Sequence, residues 1–456
     1  MLFTSFLTLL VFSTYNMPYV GHTIMLNRLG LMTMGFMLML LMMTMDMMGL
    51  MPGMTLYNNW FNMTSNNMPL MMLMLMLMMM LLMYNTYMNK YKMMSPYFMM
   101  MVLANLMGLM TLPMVNDLLV MYMMMELQSY SLYLLTGLHN RSFNASRASL
   151  LYFMMGGMAS TIMLLASYFM YNLTGTTNLS DMIMINNYNN NEINNYFNML
   201  LMALLFKMGL APLHRWSMAV YNYAPTYMTA YISIVAKLSM ISWIYIHSYF
   251  FDNYILMIFM LMSLIMGSYK PLYQINIKIM LAYSGMLNFS YILLSIVTYD
   301  LSLYIYLMQY SLTHIMMFLM LLSLGEYMDK PMSKWSPMIY INQLKLPNLT
   351  LAMCFILALF SLIGMPPLPG FYAKLFILSG ALLDNYIYES LLLILCSVMA
   401  TYYYANMIKM LFNSKTTTNM SINSSLAYSM AISTMLMISF YIYLPYLSEG
   451  LYLMTI

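Results

Sequence analysis

Two stretches decide the fold: LLFKMGLAPLHRW at residues 204–216 and FSLIGMPPLPGFYAKLF at residues 360–376. Each is an apolar run interrupted by proline, with one lysine beside the interruption. Lys207 stands five residues before Pro212, whereas Pro366, Pro367, Pro369 and Gly370 precede Lys374. Proline has no N–H to donate, so it breaks the helical ladder and frees carbonyls of the preceding turn. Inside a bilayer such carbonyls must find partners in protein or enclosed water. These segments therefore read as two broken membrane helices, each carrying a charge at the break.

The rest of the chain agrees. Of 456 residues, 63% are hydrophobic and 6% charged, against roughly 25% charged in soluble domains. That little charge cannot cover a soluble surface, which excludes a soluble globule. A net charge of +4 over this length makes no basic stripe, so nucleic acid is not an expected partner. The abundance of Met (73), with much Tyr, Asn and Leu, resembles translation from an AT-rich organellar genome. The runs, such as MMLMLMLMMM at 71–80, lie in uninterrupted apolar stretches, where Met serves as a flexible filler. The opening MLFTSFLTLLVF has neither a charged signal region nor an Arg-rich presequence, as expected of a product used in the organelle that makes it. Cys354 and Cys396 sit in separate apolar segments and suggest neither a disulfide framework nor a thiolate metal site.

A membrane helix needs about 20 apolar residues. Working outward from the two breaks gives fourteen candidate spans: 2–20, 24–43, 68–84, 97–113, 117–137, 149–171, 197–217, 226–247, 253–268, 274–298, 302–324, 350–379, 387–412 and 426–446. The loop charges sort by side on this layout. Arg28, Lys90, Lys92, Arg141, Arg147, Arg215, Lys270, Lys278, Lys330, Lys334, Lys345, Lys409 and Lys415 fall in odd-numbered loops, with Glu326 and Asp329. Asp46, Asp117, Asp181, Glu192, Asp252, Asp300, Asp384, Glu389 and Glu449 fall in even-numbered loops or the C-terminus, without a cation. Cations mark the side of synthesis, so both termini are expected on the intermembrane-space side. The breaks fall in the seventh and twelfth spans, five apart. Spans four to eight and nine to thirteen thus form two five-helix repeats, and an odd number of helices inverts one relative to the other. The expected division is 1–96, 97–247, 248–415 and 416–456. The Asn-rich stretch at 186–196 reads as loop filler.

Four charges remain inside spans: Glu126, Lys207, Lys237 and Lys374. Each costs about 2.5–3.5 kcal/mol at mid-membrane unless it pairs or meets water. Lys237 is some 11 residues from either end of its span, about 16 Å, too far to snorkel comfortably. Glu126, the sole acid among them, is expected to face a lysine. Moving or neutralising that carboxylate would change whether the lysine keeps its proton, which makes the pair a switchable proton carrier. His314, mid-span in the eleventh helix, reads equally well as a neutral relay and as a hydrogen-bonded core histidine. His22, His139, His214 and His247 lie near span ends and cannot form the mid-membrane pairs that haem ligation needs. No metal or cofactor site is expected in this chain.

FKMGLAPLHRW, the following YNYAPTYMTAYISIVAKL (221–238), IKIMLAYSGMLNFSYILL (277–294) and GMPPLPGFYAKLF (364–376) resemble segments shared by the antiporter-like subunits of respiratory complex I and the Mrp-type cation/proton antiporters. The resemblance extends over roughly residues 100–415. Lys374 stands where one sibling typically carries Glu, and there is no room after residue 446 for the long lateral helix of another. The resemblance implies a proton-translocating membrane-arm subunit of NADH:ubiquinone oxidoreductase in the mitochondrial inner membrane. It makes Glu126 and Lys207 the acid–lysine pair, Lys237 the bridging lysine and Lys374 the terminal one. It puts flavin, iron–sulfur clusters and quinone in partner subunits, and makes sibling subunits and lipids, cardiolipin among them, the expected neighbours. Two departures stand out: SMAVYNYAP (217–225) lacks the family's usual acid, and Pro369 replaces a small residue. A self-standing antiporter and a non-pumping structural spacer are the alternative functions.

Overall fold

The computed structural model describes residues 2–15, 20–48, 53–86, 97–138, 142–186, 192–327, 340–344, 348–412 and 424–455. Long runs of Leu and Met, both strong helix formers, make the chain helical almost throughout. The helices are α1 (Leu2–Tyr15), α2 (Val20–Met48), α3 (Asn67–Thr86), α4 (Phe98–Thr111), α5 (Leu118–Gly137), α6 (Phe143–Thr174), α7 (Leu179–Asn186), α8 (Glu192–Met208), α9 (Arg215–Tyr223), α10 (Thr226–Ile246), α11 (Asn253–Tyr269), α12 (Ile277–Val297), α13 (Ser302–Tyr327), α14 (Leu349–Ile363), α15 (Pro369–Leu383), α16 (Ile387–Phe412) and α17 (Ser424–Thr455). Among the described residues, nine helical segments are long and apolar enough to cross a membrane, within α2, α5, α6, α10, α11, α12, α13, α16 and α17. The shorter apolar helices α1, α3 and α4 and the interrupted pairs α8/α9 and α14/α15 lie where the other expected spans fall.

Burial separates helices that hydropathy does not. In α10 and α12, 89% of the spanning window is buried, and in α13 94%, against 33% in α6, 28% in α16 and 22% in α17. The first three form the centre of the bundle. The others turn apolar side chains outward, as lipid-facing or subunit-facing helices do.

Both breaks are built alike. α8 closes on Gly209, at φ +68°, which donates to the Phe206 carbonyl while Leu210 N–H donates to Leu205. α14 closes on Gly364, at φ +94°, with Gly364 and Met365 both donating to the Phe360 carbonyl. Only glycine enters this left-handed region without penalty, so each glycine ends its helix in a C-cap motif. Ala211–Pro212 and Pro366–Pro367 are cis. α9 then restarts at Arg215 and α15 at Pro369, where proline suits a first turn.

Local structures also recur 159 residues apart. Gly108 on α4 brings that backbone against α5: a Cβ there would lie 2.9 Å from the Met124 carbonyl and 3.0 Å from Gln128 N. Gly267 on α11 does the same on α12, against the Tyr283 carbonyl at 3.0 Å and Leu287 N at 2.7 Å. A proline-containing 3-10 turn follows each of these helices, Leu112–Met114 and Lys270–Tyr273. Asp117 then bridges to Asn178 as Asn276 bridges to Tyr340.

The structure departs from the sequence reading in several places. Lys278, placed among loop cations, is buried in the first turn of α12 because its ammonium reaches the Ala224 carbonyl at 2.8 Å. Asp117, placed among loop acids, is buried as the N-cap of α5, accepting from Leu119 N at 2.9 Å, Val120 N at 3.3 Å and the Thr177 hydroxyl at 2.7 Å. The 44–67 loop contains the antiparallel hairpin β1 (Met54–Leu56) and β2 (Phe61–Met63), and the 172–196 loop contains α7. Lys90, Lys92, Arg141, Asp329, Lys330, Lys334, Lys345, Lys415 and His139 lie outside the described residues, as do residues 187–191 of the Asn-rich stretch.

Candidate functional site

The first break carries a buried ion pair. Lys207, in the last turn of α8, places Nζ 2.9 Å from Glu126 Oε1 on α5, with the two side chains 4% and 10% exposed. The Ser129 hydroxyl donates to the Glu126 main-chain carbonyl at 3.0 Å and lies 3.3 Å from Oε2. Carbonyls around the break have other partners: Trp216 Nε1 donates to Phe206 at 3.2 Å, and Ser217 Oγ to Gly209 at 3.2 Å. Lys207 is thus left to the carboxylate. The Asp117 cap and the close approach at Gly108 fix α5, and therefore Glu126, against its neighbours. A cavity about the size of one water adjoins Lys207, lined by Gln128, Ser129 and Tyr152 among others.

Lys237 lies at the centre of the bundle, halfway along α10. Its ammonium stands 4.5 Å from the centroid of Phe289 and 5.5 Å from that of Tyr221. Two aromatic faces therefore surround it, where Lys207 has a carboxylate. A second water-sized cavity brings Lys237 together with His314, Lys278, Thr229, Ser233 and Tyr310. His314 is 1% exposed, and neither ring nitrogen has a hydrogen-bond partner among the described residues.

At the second break Lys374, on α15, is half-buried and folds back onto α14. Its ammonium donates to the Leu362 and Ile363 carbonyls at 2.9 and 3.0 Å, the groups freed where α14 ends. A cation there also suits the negative end of the helix dipole. The ring of Tyr291 lies 5.7 Å away. Gly370 lets α15 touch α14 at the Ser361 carbonyl, where a Cβ would collide. Pro212, Pro366, Pro367 and Pro369 thus shape the two gaps, and the lysines occupy them differently, one on an acid and one on carbonyls.

Sequence reasoning missed the polar residues that tie these helices together. Gln128, fully buried on α5, donates to the Ala236 carbonyl at 2.9 Å and accepts from Ser239 at 3.1 Å, gripping α10 beside Lys237. Asn105 on α4 donates to the Gln128 carbonyl at 2.8 Å and to Ser131 at 2.9 Å, and accepts from the Tyr231 hydroxyl. The available signal was a single amide on each of α4 and α5, beside Glu126 on the latter. Among the described residues, no three His, Cys, Asp or Glu side chains converge as a metal site requires.

Residues 115–403 match the family profile described as NADH:quinone oxidoreductase/Mrp antiporter, transmembrane. The chain belongs to this family. It is 60% identical, over the full length of both chains, to the NADH-ubiquinone oxidoreductase chain 2 of Debaryomyces hansenii. In fold, this family member is similar to a chain of respiratory complex I from Thermus thermophilus, with TM-score 0.80 at 20% identity, covering 99% of this chain and 97% of that one. It is equally similar to a chain of the Mrp complex from Dietzia sp., with TM-score 0.81 at 16% identity, covering 99% and 94%.

Proposed function

We propose that the chain is a proton-translocating membrane-arm subunit of respiratory complex I in the mitochondrial inner membrane. The carrying observation is the Glu126–Lys207 pair, held at 2.9 Å beside a helix break in an apolar bundle. Its full-length likeness to chain 2 of a mitochondrial NADH-ubiquinone oxidoreductase favours complex I over a free-standing antiporter. In this reading residues 97–247 and 248–415 are two repeats of opposite membrane orientation within a fourteen-span chain, with both termini on the intermembrane-space side. The 159-residue recurrence of the close helix contacts at Gly108 and Gly267 supports the repeat.

The chain's own residues would act as follows. Glu126 holds a proton on Lys207 while both are charged. Neutralising or withdrawing the carboxylate releases that proton through enclosed water to Lys237, whose aromatic surround offers no competing acid. His314 relays it while neutral, since one ring nitrogen accepts as the other donates. Lys374 receives it at the second break and delivers it outward. Moving one charge against 100 mV takes about 2.3 kcal/mol, and the driving energy comes from redox chemistry in partner subunits, which hold the flavin, iron–sulfur and quinone sites. Sibling antiporter-like subunits and inner-membrane lipids, including cardiolipin, are the proposed neighbours.

The Mrp likeness in fold supports one rival, exchange of Na⁺ or K⁺ for protons by the chain alone. Native electrophoresis with NADH staining, followed by reconstitution of the purified chain, separates them. Migration within an NADH-oxidising complex and no exchange by the isolated chain is expected. Free migration with cation exchange would overturn the proposal.

A further inference from the structure

The two halves of the bundle differ at one buried position. Gly108 meets α5 at Met124 and Gln128, and Gly267 meets α12 at Tyr283 and Leu287, so the two helices correspond with a shift of 159 residues. Glu126 stands midway between the first pair and Gly285 midway between the second. Where α5 carries a carboxylate, α12 therefore has no side chain at all. In its place is a cavity, and Gly285 is part of the lining.

That lining is one-sided in its chemistry. Lys237 brings an ammonium, His314 an imidazole, and Tyr310 a hydroxyl that lies against Gly285, where a Cβ would be 3.1 Å from it. Lys278 reaches the same cavity from the first turn of α12. Among the described residues no acid lines it. Thr229 and Ser233 give their hydroxyl hydrogens to the Thr226 and Ala230 carbonyls, at 2.7 and 3.2 Å. Both His314 nitrogens are buried without a partner among the described residues, although the ring sits 4.3 Å from that of Tyr310. An imidazole always carries at least one N–H, and a buried donor without an acceptor is costly. The Lys237 ammonium has two aromatic faces, 4.5 and 5.5 Å from their centroids, and no salt bridge among the described residues. Ring faces hold a buried cation far less strongly than a negative charge in contact with it. An ammonium, an orphaned N–H and a phenol thus converge on one void, which is the donor set a small anion requires. A metal ion finds no anionic ligand there, and a void the size of one water excludes sulfate, phosphate and organic acids.

We infer that this cavity binds one monovalent anion of halide size, chloride in the cell, as an exchangeable counter-ion for Lys237 in place of the carboxylate that Glu126 supplies to Lys207. The anion accepts from Lys237, from the His314 N–H and from the Tyr310 hydroxyl. Its arrival holds the proton on Lys237 and its departure frees it, so occupancy does here what the charge of Glu126 does at the first break. The binding site stands on the cavity alone, whereas the counter-ion role rests on the proposed pumping function.

Crystals of the assembled complex grown with bromide as the sole halide test the site, because bromide scatters anomalously. A bromine peak among Lys237, His314 and Tyr310 is expected, and so is its loss in Gly285→Asp, which returns a carboxylate to the chain. No peak in a well-ordered complex would overturn the site. A peak that survives both Gly285→Asp and His314→Phe undiminished would mark an adventitious ion only, and would overturn it equally. The role is read as protons moved per NADH oxidised in sealed vesicles, with potassium and valinomycin present so that anion leakage sets no potential. With gluconate as the anion the ratio should fall as far as Lys237→Met lowers it, recover with chloride or bromide, and become independent of halide in Gly285→Asp. If Gly285→Asp prevents assembly, His314→Phe serves instead: losing one hydrogen bond to a charged group, it should need about tenfold more chloride for the same recovery. Equal ratios in gluconate and chloride would overturn the counter-ion role. No fall with Lys237→Met would overturn the pumping function, and the bromine peak would still decide the site.

Discussion

Replacing Glu126 with Gln keeps the shape of the side chain and removes the charge 2.9 Å from Lys207. At that separation two unit charges in a medium of effective dielectric 20 interact by about 6 kcal/mol. Removing one partner of such a pair is observed to cost about 3–5 kcal/mol. Solvent screening subtracts little, because the side chains are only 4% and 10% exposed. Either figure exceeds the roughly 2.3 kcal/mol that lifts a charge against 100 mV. The carboxylate is therefore large enough to control the lysine's proton, and Glu126→Gln should abolish this subunit's share of pumping. The assay is acidification of sealed vesicles by the assembled complex, normalised to NADH oxidation. The double variant Glu126→Gln/Lys207→Met leaves no unpaired charge, so it should assemble at least as well as the single variant and still fail to pump. A normal proton-to-NADH ratio in a fully assembled Glu126→Gln complex would refute the reasoning.

Other consequences concern the scaffold. Gly108→Val and Gly267→Val should each lower the yield of assembled complex on native gels, costing about 1–3 kcal/mol by forcing helices apart; Gly157→Ala, which meets open space, should not. Asn198 accepts from Asp252 N at 3.0 Å and donates to its carboxylate, tying α8 to the start of α11. Asn198→Ala should therefore lower the melting temperature of the complex by the equivalent of about 1–3 kcal/mol. Burial and then Asp384 raise the Asp300 carboxyl above its ordinary value of 3.8. The fold consequently prefers the protonated form and is weakened once the group ionises, so Asp300→Asn should raise the melting temperature at pH 7. That gain should fade as pH falls through the raised value and vanish below about pH 4.

How far the sequence reveals this molecule follows from particular residues. Gly209 with Pro212, and Gly364 with Pro366 and Pro367, mark both breaks plainly, because few other residues can end and redirect a helix in that way. The order of helices was legible for a similar reason, since apolar runs interrupted by polar residues define their own ends. The centre of the bundle was not legible. α6 and α12 have the same mean hydropathy of 1.6, yet one is largely exposed and the other almost wholly buried. In a membrane both lipid and protein are apolar, so composition cannot separate them. Lys278 was misread because its partner, the Ala224 carbonyl, lies 54 residues away and lets a lysine sit inside a helix start. Lys374 likewise took main-chain carbonyls as partners, which no pattern of charged residues announces. Asn105 and Gln128 are each the single amide of their helix, and only their neighbours across the bundle give them meaning.

The central claim is that protons cross this chain on its buried charges. The variant carrying Glu126→Gln, Lys207→Met, Lys237→Met and Lys374→Met together removes those charges and leaves none of them unpaired, which protects assembly. Its protons moved per NADH oxidised, measured in sealed vesicles, should fall below the unmodified complex by this subunit's share while the complex still oxidises NADH. An unchanged ratio in the assembled complex would contradict the account and leave the chain a structural spacer.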